Sequence, residues 1–454
     1  MTIRRILLTL GVVALMPRAL LSADQSTNSG PWLDKPLSLP EAVDIALKQN
    51  ANILKGRADL EAAYGVEVQI RALVFPKLRS TGNFTANDPG LREIFPTTVP
   101  INLPNETWLV DVKVVQSLYE GGRMRSALRE ANLTKEQAVA QYQAVIADTV
   151  LEVQLAYYDV LLAAQQIEVQ EASLILLTNQ LSNTRARFEA GTVRPFNVLR
   201  AEVELANARP KLIRARNANR IAKNNLATLL GYDIPKGVWE DIPLKLTGKL
   251  EAEPMTIELP SALGQALDRR PELLALQKTE RLRREQITDA RAGYLPSVQA
   301  FGGYEARNSA FADDLARELH GWTTGVQFTW DIFDGLATRG RSQQAKAIHE
   351  RSRVELADAT RRIEQEVRTA YSTFIEAREV LESQKKVQEQ AEEALRQVTE
   401  LNKAGAEGGT QLDVLSAQTA LTEARTTQVQ ALRDYEAARA RLERAIGQNV
   451  RQQK

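Results

Sequence analysis

Two long stretches of the chain carry apolar residues at alternating spacings of four and three. The first follows residue 122 and continues to about residue 189, so as an α-helix it would be roughly 100 Å long. Sustained spacing of this kind predicts long helices that pack as coiled coils. The apolar positions are Ile146, Val150, Val153, Tyr157, Val160, Ala164 and Ile167 in the first stretch, and Ile363, Val367, Ala370, Phe374, Ala377 and Leu381 in the second.

Four shorter segments alternate apolar and polar residues, which is the pattern of a two-faced β-strand. Each is about as long as the 9–11 residues with which a tilted strand crosses a bilayer. The alternative is a water-soluble hairpin packed on a core. The segments are residues 78–86, 108–117, 297–306 and 321–331. Trp108, Trp322 and Trp330 lie near strand ends, where an aromatic belt would contact the membrane interface and its lipid.

The chain contains an internal repeat of about 220 residues, in which six matched segments recur in the same order. A period of this length is too long for a solenoid and indicates two structurally equivalent halves. We predict a first structural repeat at 39–231, an inter-repeat linker at 232–258 and a second repeat at 259–447. Each repeat comprises a helix, two strands and long helices. The matched pairs are 39–42 with 259–262, 71–76 with 291–296, 118–121 with 332–335, 156–157 with 370–371, 197–199 with 413–415, and 230–231 with 446–447.

The first residues have the features of an export signal. Arg4 and Arg5 precede an apolar stretch at 6–16, and Ser22 and Ala23 are small residues suited to cleavage. The corresponding prediction is a signal peptide at 1–23, an N-terminal linker at 24–38 and a C-terminal tail at 448–454.

Composition and charge limit the classes of function. The net charge is +1 and there is no cysteine, so neither a nucleic-acid partner nor a thiolate site is expected. His320 and His349 are the two histidines, which are few for a metal or acid–base centre. No uninterrupted run reaches about 18 apolar residues, so a membrane crossing would have to use β-strands.

Four strands in one chain do not close a β-barrel. An open edge in lipid leaves N–H and C=O groups unpaired at several kcal/mol each, so closure requires association with other copies. Three copies would supply twelve strands, whereas two would supply eight and leave an interior filled by side chains. A channel therefore favours a trimer. The predicted fold is mostly α, with a long coiled-coil helical tunnel and a transmembrane β-barrel portion.

Short motifs in both halves resemble the TolC-like outer membrane efflux protein family. Residues 118–123, Leu-Tyr-Glu-Gly-Gly-Arg, are similar to the family's aromatic–acid–Gly-Gly–basic motif, where a strand re-enters the helical tunnel. Residues 332–335 are a second copy, in which Leu336 replaces the second glycine. The resemblance spans nearly the whole mature chain. It implies a homotrimeric outer-membrane channel with a twelve-stranded barrel and a large periplasmic portion, which gives substrates a passive exit and needs no cofactor.

The resemblance also implies partners and the regions that contact them. The family works in tripartite efflux or secretion systems with a periplasmic adaptor (membrane fusion) protein and an inner-membrane transporter. Residues 188–193 and 404–405 resemble the periplasmic tips, which would face the adaptor. The tip candidates are Gly191, Thr192, Gly405 and Ala406, and the barrel-to-tunnel junction comprises Glu120, Gly121, Gly122, Asp334 and Gly335.

Asp413 matches a family position that lines the constricted periplasmic entrance of the tunnel. Three copies would form a ring of negative charge, which attracts cations and raises the pKa of its members by mutual repulsion. Asn197 is the counterpart in the first half, and Ser416 occupies the family's next acidic position, so a second ring is missing. The structural alternative is that Asp413 caps a helix together with Thr410.

Two other classes of protein are weighed against a channel. A soluble periplasmic coiled-coil adaptor or structural protein would also contain long helices, but adaptors usually have one helical hairpin between flanking β-modules. An enzyme is disfavoured, because the sequence has no histidine–carboxylate cluster, glycine-rich phosphate loop or nucleophile motif.

Overall fold

The computed structural model describes residues 35–88, 90, 105–233, 242–252, 254–308, 315, 318–404 and 408–448. The predicted signal peptide therefore lies outside the described residues. The first half contains α1 (Leu39–Gln49), α2 (Ala51–Arg71), β1 (Lys77–Ala86), β2 (Glu106–Glu120), α3 (Arg123–Glu189) and α4 (Pro195–Leu229). The second half contains α5 (Leu259–Arg269), α6 (Pro271–Arg291), β3 (Ser297–Asn308), β4 (Glu318–Thr329), α7 (Ala337–Ala404) and α8 (Gln411–Ala445).

Each half begins with a pair of helices separated by a single extended residue. Asn50 ends α1, and its side-chain oxygen accepts a hydrogen bond from an N–H group in the first turn of α2. Its Nδ2 donates to the carbonyl oxygen of Leu229 at 2.7 Å, which ties the break to the end of α4. In the second half, Arg270 separates α5 from α6, and Pro271 occupies the first turn of α6, where a backbone N–H is not needed.

The long helices are α3, with 67 residues, and α7, with 68 residues. Within the described residues, α3 is long and apolar enough to cross a membrane, with an 18-residue window of mean hydropathy 1.3. This differs from the expectation drawn from uninterrupted apolar runs, because the window tolerates isolated polar residues. One such helix is weak evidence of a membrane span, since core helices of soluble proteins have a similar composition, and α3 packs against α2, α4, α6 and α8.

The four strands form one antiparallel sheet in chain order, with β1 and β4 at its edges. Across the sheet, Thr81 lies opposite Asp111, Asp111 opposite Glu305, and Glu305 opposite Gly321. Because successive side chains of a strand point to opposite faces, this row and every second row share one face of the sheet. The register thus decides which side chains lie together on each face.

The helices lie side by side as an open wall. α3 packs against α2, α4, α6 and α8, and α7 packs against α6 and α8. Consequently α2 and α4 lie at one lateral edge of the wall and α7 lies at the other. The same two edges continue into the sheet, because β1 follows α2 and β4 precedes α7. The single chain therefore has two lateral edges, each formed by helices and by one edge strand of the sheet.

Each half has an apolar core where its short helices meet the long ones. Residues 242–252, within the predicted inter-repeat linker, contribute to the first core. There Tyr157 donates from its hydroxyl to the carbonyl oxygen of Leu37 at 3.1 Å. The first core includes Val153, Tyr157, Leu226, Leu230 and Leu244, and the second includes Val367, Phe374, Tyr435, Leu442 and Ile446.

Candidate functional site

One face of the sheet is apolar and exposed. Trp322 is 78% exposed and Val326 is 66% exposed, although both lie inside β4 and at neither of its ends. Soluble monomeric proteins seldom leave so large a contiguous apolar surface in water, whereas the outer face of a membrane barrel requires one. The exposed apolar side chains of this face are Leu78, Phe84, Val110, Val112, Val114, Tyr304, Trp322, Val326 and Phe328.

The tryptophans predicted for the membrane interface have different surroundings. Trp322 is highly exposed. The Trp108 indole N–H donates to the carbonyl oxygen of Leu315 at 3.2 Å. The predicted strand segment 321–331 includes Trp330. In the structure β4 ends at Thr329, so Trp330 follows the strand and does not belong to it. The Trp330 indole N–H donates to the carbonyl oxygen of Tyr294 at 3.2 Å, which fixes the base of the sheet to the short turn that follows α6.

The two lateral edges also expose apolar side chains and strand backbone. Within the described sheet, β1 and β4 each have a partner strand on one side only, so N–H and C=O groups on the other side lack strand partners. Polar backbone in the sheet and apolar side chains in the helices together favour contact with further copies of the chain. The exposed apolar side chains are Leu54, Val66 and Val68 on α2, Phe196, Leu199, Val203, Ile213 and Ile221 on α4, and Val354, Val380 and Val387 on α7.

Two consecutive residues with positive φ precede the long helix that follows the strands in each half. Gly121 and Gly122, with φ of 60° and 95°, connect β2 to α3. Gly335 and Leu336, with φ of 64° and 70°, lie directly before α7, at the end of the connection that follows β4. A Cβ on Gly121 would lie 2.6 Å from the carbonyl oxygen of Ala292, so this position needs glycine for space as well as for conformation.

The acids of the two junction motifs stabilise the turns in different ways. Glu120 accepts a hydrogen bond from the Ser117 hydroxyl at 2.5 Å, within the same strand. Asp334 accepts one from the backbone N–H of Thr338 at 2.7 Å, in the first turn of α7. Hydrogen bonds from Thr338 lower the pKa of Asp334, and the carboxylate favours the positive end of the helix dipole.

The tip of the first helical hairpin is a compact turn. Gly191 ends α3 with a φ of 72°, the left-handed conformation that commonly terminates helices. Thr192 donates its backbone N–H and its hydroxyl to the carbonyl oxygen of Arg187, at 2.9 and 2.8 Å. Arg187 in turn donates to the side-chain oxygen of Asn402 at 3.0 Å, which links this tip to the end of α7.

At the second tip, the predicted residues Gly405 and Ala406 lie outside the described residues. The described part of that turn resumes at Gly408, with a φ of 90°. The Asn402 side-chain amide donates to the carbonyl oxygen of Gly409 at 2.6 Å and holds the turn against α7.

Asp413 caps the first turn of α8, as the structural alternative for this residue predicts. Its carboxylate accepts from the backbone N–H of Thr410 at 3.0 Å and from the Thr410 hydroxyl. These bonds lower the pKa of Asp413, so the direction in a single chain is opposite to the rise expected from a ring of three carboxylates. Asn197 lies in the first turn of α4, where its backbone N–H donates to the carbonyl oxygen of Arg194 at 3.0 Å.

Several ion pairs connect the two halves. The hydrophobic periodicity of the sequence does not predict them. Arg444 of α8 donates to Asp148 of α3 at 2.9 Å and also pairs with Glu272 of α6. Arg433 of α8 donates to Asp159 of α3 at 2.7 Å. The partners are hundreds of residues apart in sequence, so their contact depends on how the halves pack.

A group of carboxylates lies between α3 and α6, just below the junction. Burial, reinforced by the charges of Asp289 and Glu285, raises the pKa of Glu130 to about 7. Arg123 donates to Asp289 at 2.9 Å and Arg129 to Glu285 at 2.8 Å, so those two carboxylates have counter-ions. Across the part of the chain that the structure describes, no three His, Cys, Asp or Glu residues are grouped so as to hold a metal ion.

Comparisons with known proteins give a consistent result. The family described as "Outer membrane efflux protein" matches residues 42–232 and 262–448, one segment in each half. The chain is 26% identical over 442 residues to the outer membrane protein TolC of Vibrio cholerae, covering 95% of both chains. It is 27% identical over 346 residues to the protein CyaE of Bordetella pertussis, covering 75% of this chain and 70% of that one. The solved structure of the outer-membrane channel OprN has the same fold, with a TM-score of 0.74, 22% identity and 90% of both chains covered.

Proposed function

This chain belongs to the outer membrane efflux protein family, and from that premise we propose that three copies close their sheets into one twelve-stranded barrel. The protein is an outer-membrane channel of the efflux and secretion class, with a periplasmic helical portion and no enzymatic activity. Membership implies a trimeric channel in a tripartite system. In the proposed trimer, β4 of each copy pairs with β1 of the next.

The observation that carries this proposal is a four-stranded sheet with two free edges and one exposed apolar face. In lipid, each unpaired backbone group would cost several kcal/mol, and pairing edge to edge removes that cost without changing the fold of a single copy. The exposed apolar face would then contact lipid on all sides of the barrel.

The same closure brings the helical edges together. α2 and α4 of one copy would pack against α7 of the next and bury side chains such as Ile213 and Val380, which are 67% and 44% exposed in a single chain. Each fully buried side chain of this size contributes on the order of 1.5–3 kcal/mol, so a row of them stabilises the tunnel wall.

Asp413 and Asn197 are proposed to line the narrow periplasmic end of the tunnel. Both lie in the first turn of a helix that returns from a hairpin tip, and Asp413 is held in its ionised form by Thr410. The tip residues Gly191, Thr192, Gly405 and Ala406 are proposed to contact the periplasmic adaptor. An inner-membrane transporter would supply the energy, since the channel itself provides a passive exit.

Cysteine cross-linking tests the closure, because the chain contains no cysteine of its own. Ser80→Cys in β1 is combined in turn with Thr324→Cys, Val326→Cys or Phe328→Cys in β4, all on the apolar face. Within one copy, three strand spacings of about 4.8 Å separate β1 from β4, which is too far for a disulfide between Cα atoms that need about 7 Å or less.

The expected result is a covalently linked trimer from at least one of these pairs, in protein extracted by detergent from purified outer membranes. Ser80→Cys combined with Gln327→Cys is the matched control, because Gln327 lies on the other face of β4. Monomers with every pair, in protein recovered from the soluble periplasm, would contradict the proposal and favour the coiled-coil adaptor.

A further inference from the structure

The face of the sheet opposite the apolar one is rich in charge, and the strand register arranges the charges in rows. Since the apolar face meets lipid in the proposed trimer, this second face lines the lumen of the barrel. Four consecutive rows across the sheet are Asn83–Leu109–Arg307–Leu319, Thr81–Asp111–Glu305–Gly321, Arg79–Lys113–Gly303–Thr323 and Lys77–Val115–Phe301–Gly325.

These rows have an excess of positive charge. The two carboxylates are Asp111 and Glu305, and both lie in one row. Four cations against two carboxylates leave a net charge of +2 per copy, or +6 in a trimer. The cations are Lys77, Arg79, Lys113 and Arg307.

Both carboxylates interact with Lys113. Its ammonium lies 2.6 Å from the Asp111 carboxylate and 3.5 Å from that of Glu305, and the Thr81 hydroxyl donates to Asp111 at 2.6 Å. The aliphatic part of the Lys113 side chain lies over Gly303. A Cβ added to Gly303 would be 2.6 Å from the Cγ of Lys113. Asp111, Lys113 and Glu305 therefore form one hydrogen-bonded belt, whose two carboxylates have a counter-ion between them.

The other cations of these rows have no such partner. Throughout the described residues, Lys77, Arg79 and Arg307 make no ion pair within 4.0 Å, and all three are exposed. Lys77 and Arg79 lie on the edge strand β1, which would meet β4 of the next copy. The lumen-side residues of β4 in the four rows are Leu319, Gly321, Thr323 and Gly325, so β4 brings no carboxylate to these rows.

We propose that the barrel lumen is an anion-favouring segment of the exit path, with Lys77 and Arg79 as the residues that determine this preference. Rings of Lys or Arg side chains favour anions in pores, and low-dielectric walls concentrate the field. Solutes that carry carboxylate, sulfonate or phosphate groups would be enriched there relative to cations. This inference rests on the proposed trimer, in which the cationic side chains of three copies would surround one lumen as rings.

A single reporter cysteine measures the potential in the lumen independently of the periplasmic gate. Thr323→Cys lies on the lumen face, in the same row as Arg79. Purified trimer in liposomes is treated with an anionic sulfonate-bearing methanethiosulfonate or a cationic trimethylammonium one. The ratio of the anionic to the cationic labelling rate is divided by the same ratio for the denatured protein, which removes the intrinsic difference between the reagents.

The expected normalised ratio is several-fold above one at low salt. It approaches one near 1 M salt, where the screening length falls to about 3 Å. Combining Thr323→Cys with Lys77→Gln and Arg79→Gln lowers the ratio several-fold, whereas Lys77→Arg with Arg79→Lys preserves it. A ratio at or below one, or a ratio that the glutamine variants leave unchanged, would overturn the inference.

A second cysteine separates this inference from the proposed barrel. Val326→Cys lies on the apolar face and should be protected by lipid from both reagents. If Val326→Cys reacts as fast as Thr323→Cys, the two faces are not separated by a barrel wall, and the proposed trimer fails together with the inference. If Val326→Cys is protected but charge has no effect at Thr323→Cys, the barrel stands and the anion preference alone is refuted.

Discussion

Leu336 adopts in the second half the left-handed conformation that Gly122 adopts in the first, with φ of 70° and 95°. Among the described residues, Leu336 is the one non-glycine residue with positive φ. The two residues before each long helix therefore share positive φ although their sequences differ. A Cβ makes this conformation unfavourable by roughly 1–2 kcal/mol, so the second turn carries strain that the first lacks.

Leu336→Gly should stabilise the protein. Removing the Cβ relieves the strain, and the greater flexibility of unfolded glycine offsets part of the gain, which leaves up to about 1 kcal/mol. Thermal unfolding of the detergent-solubilised trimer measures the effect. Leu336→Ala is the control, because it shortens the side chain but keeps the strain; equal stabilisation by both variants would contradict the explanation.

Gly121→Ala should destabilise the protein more than Gly335→Ala. The two glycines have φ of 60° and 64°, so the conformational cost is about equal. A Cβ at Gly121 would collide with the carbonyl oxygen of Ala292, whereas a Cβ at Gly335 would have no described atom within 4 Å beyond its chain neighbours. We expect about 1 kcal/mol for Gly335→Ala and an additional 1–3 kcal/mol, roughly, for Gly121→Ala. Equal melting temperatures would show that the first junction relaxes freely.

Arg444→Ala should destabilise the contact between the halves. The Arg444 side chain is 9% exposed and pairs with Asp148 and Glu272. Its removal leaves Glu272 with Arg270 as a counter-ion and Asp148 largely in solvent, so we expect the loss of these charge-assisted hydrogen bonds to cost about 1.5–3 kcal/mol. Arg351→Ala is the matched control, since the Arg351 side chain is 79% exposed and, within the part of the chain that the structure describes, pairs with Glu355 on its own helix; we expect at most about 0.5 kcal/mol there. Denaturant titration of both variants checks the difference.

Glu130 should make stability depend on pH. Its folded pKa, about 7, lies above the ordinary glutamate value of 4.5, so the folded state binds the proton more tightly. Stability is therefore greatest when the carboxyl is protonated and decreases as pH rises from about 4.5 to above 7. Glu130→Gln removes this loss and should be more stable than the natural protein at pH 8 by about 1–3 kcal/mol, with little difference near pH 4.5. Parallel pH profiles for the two proteins would refute the assignment.

Thr410→Val should raise the pKa of Asp413, because the Thr410 hydroxyl stabilises the charged carboxylate. If Asp413 forms the gate ring, block of single-channel current by divalent cations will be lost as the carboxylates protonate. That loss should occur at higher pH in Thr410→Val than in the natural protein. Thr419→Val is the control, since its hydroxyl bonds to the carbonyl oxygen of Leu415 and not to Asp413. An unchanged midpoint would show that repulsion within the ring, and not the cap, sets the pKa.

Much of the architecture can be predicted from local sequence patterns. The helical pattern from residue 122 to about 189 predicts a helix of the length that α3 has. Alternation predicts four strands, and their apolar side chains are exposed on one face of the sheet. The internal repeat predicts two halves with the same order of elements. These features are local because helices and strands have fixed periods, so the side chains that share a face recur at fixed intervals.

The candidate site could be predicted only in part. Gly121, Gly191 and Gly335 are visible as turn residues, since glycine adopts positive φ at low cost. Leu336 at positive φ was not predicted, because a leucine gives no local signal for that conformation. The capping geometry of Asp413 follows from the spacing of Thr410, whereas its place at a gate rests on resemblance.

Sequence alone thus determined the elements, their duplication and the two faces of each strand. The tertiary structure decided which helices are neighbours, which rows the charges on the second face of the sheet share and which ions pair across the halves, as Arg444 does with Asp148. Such contacts join residues 296 positions apart. Their geometry depends on the packing of whole helices and on strand register, and neither is encoded in the spacing of residues along one segment.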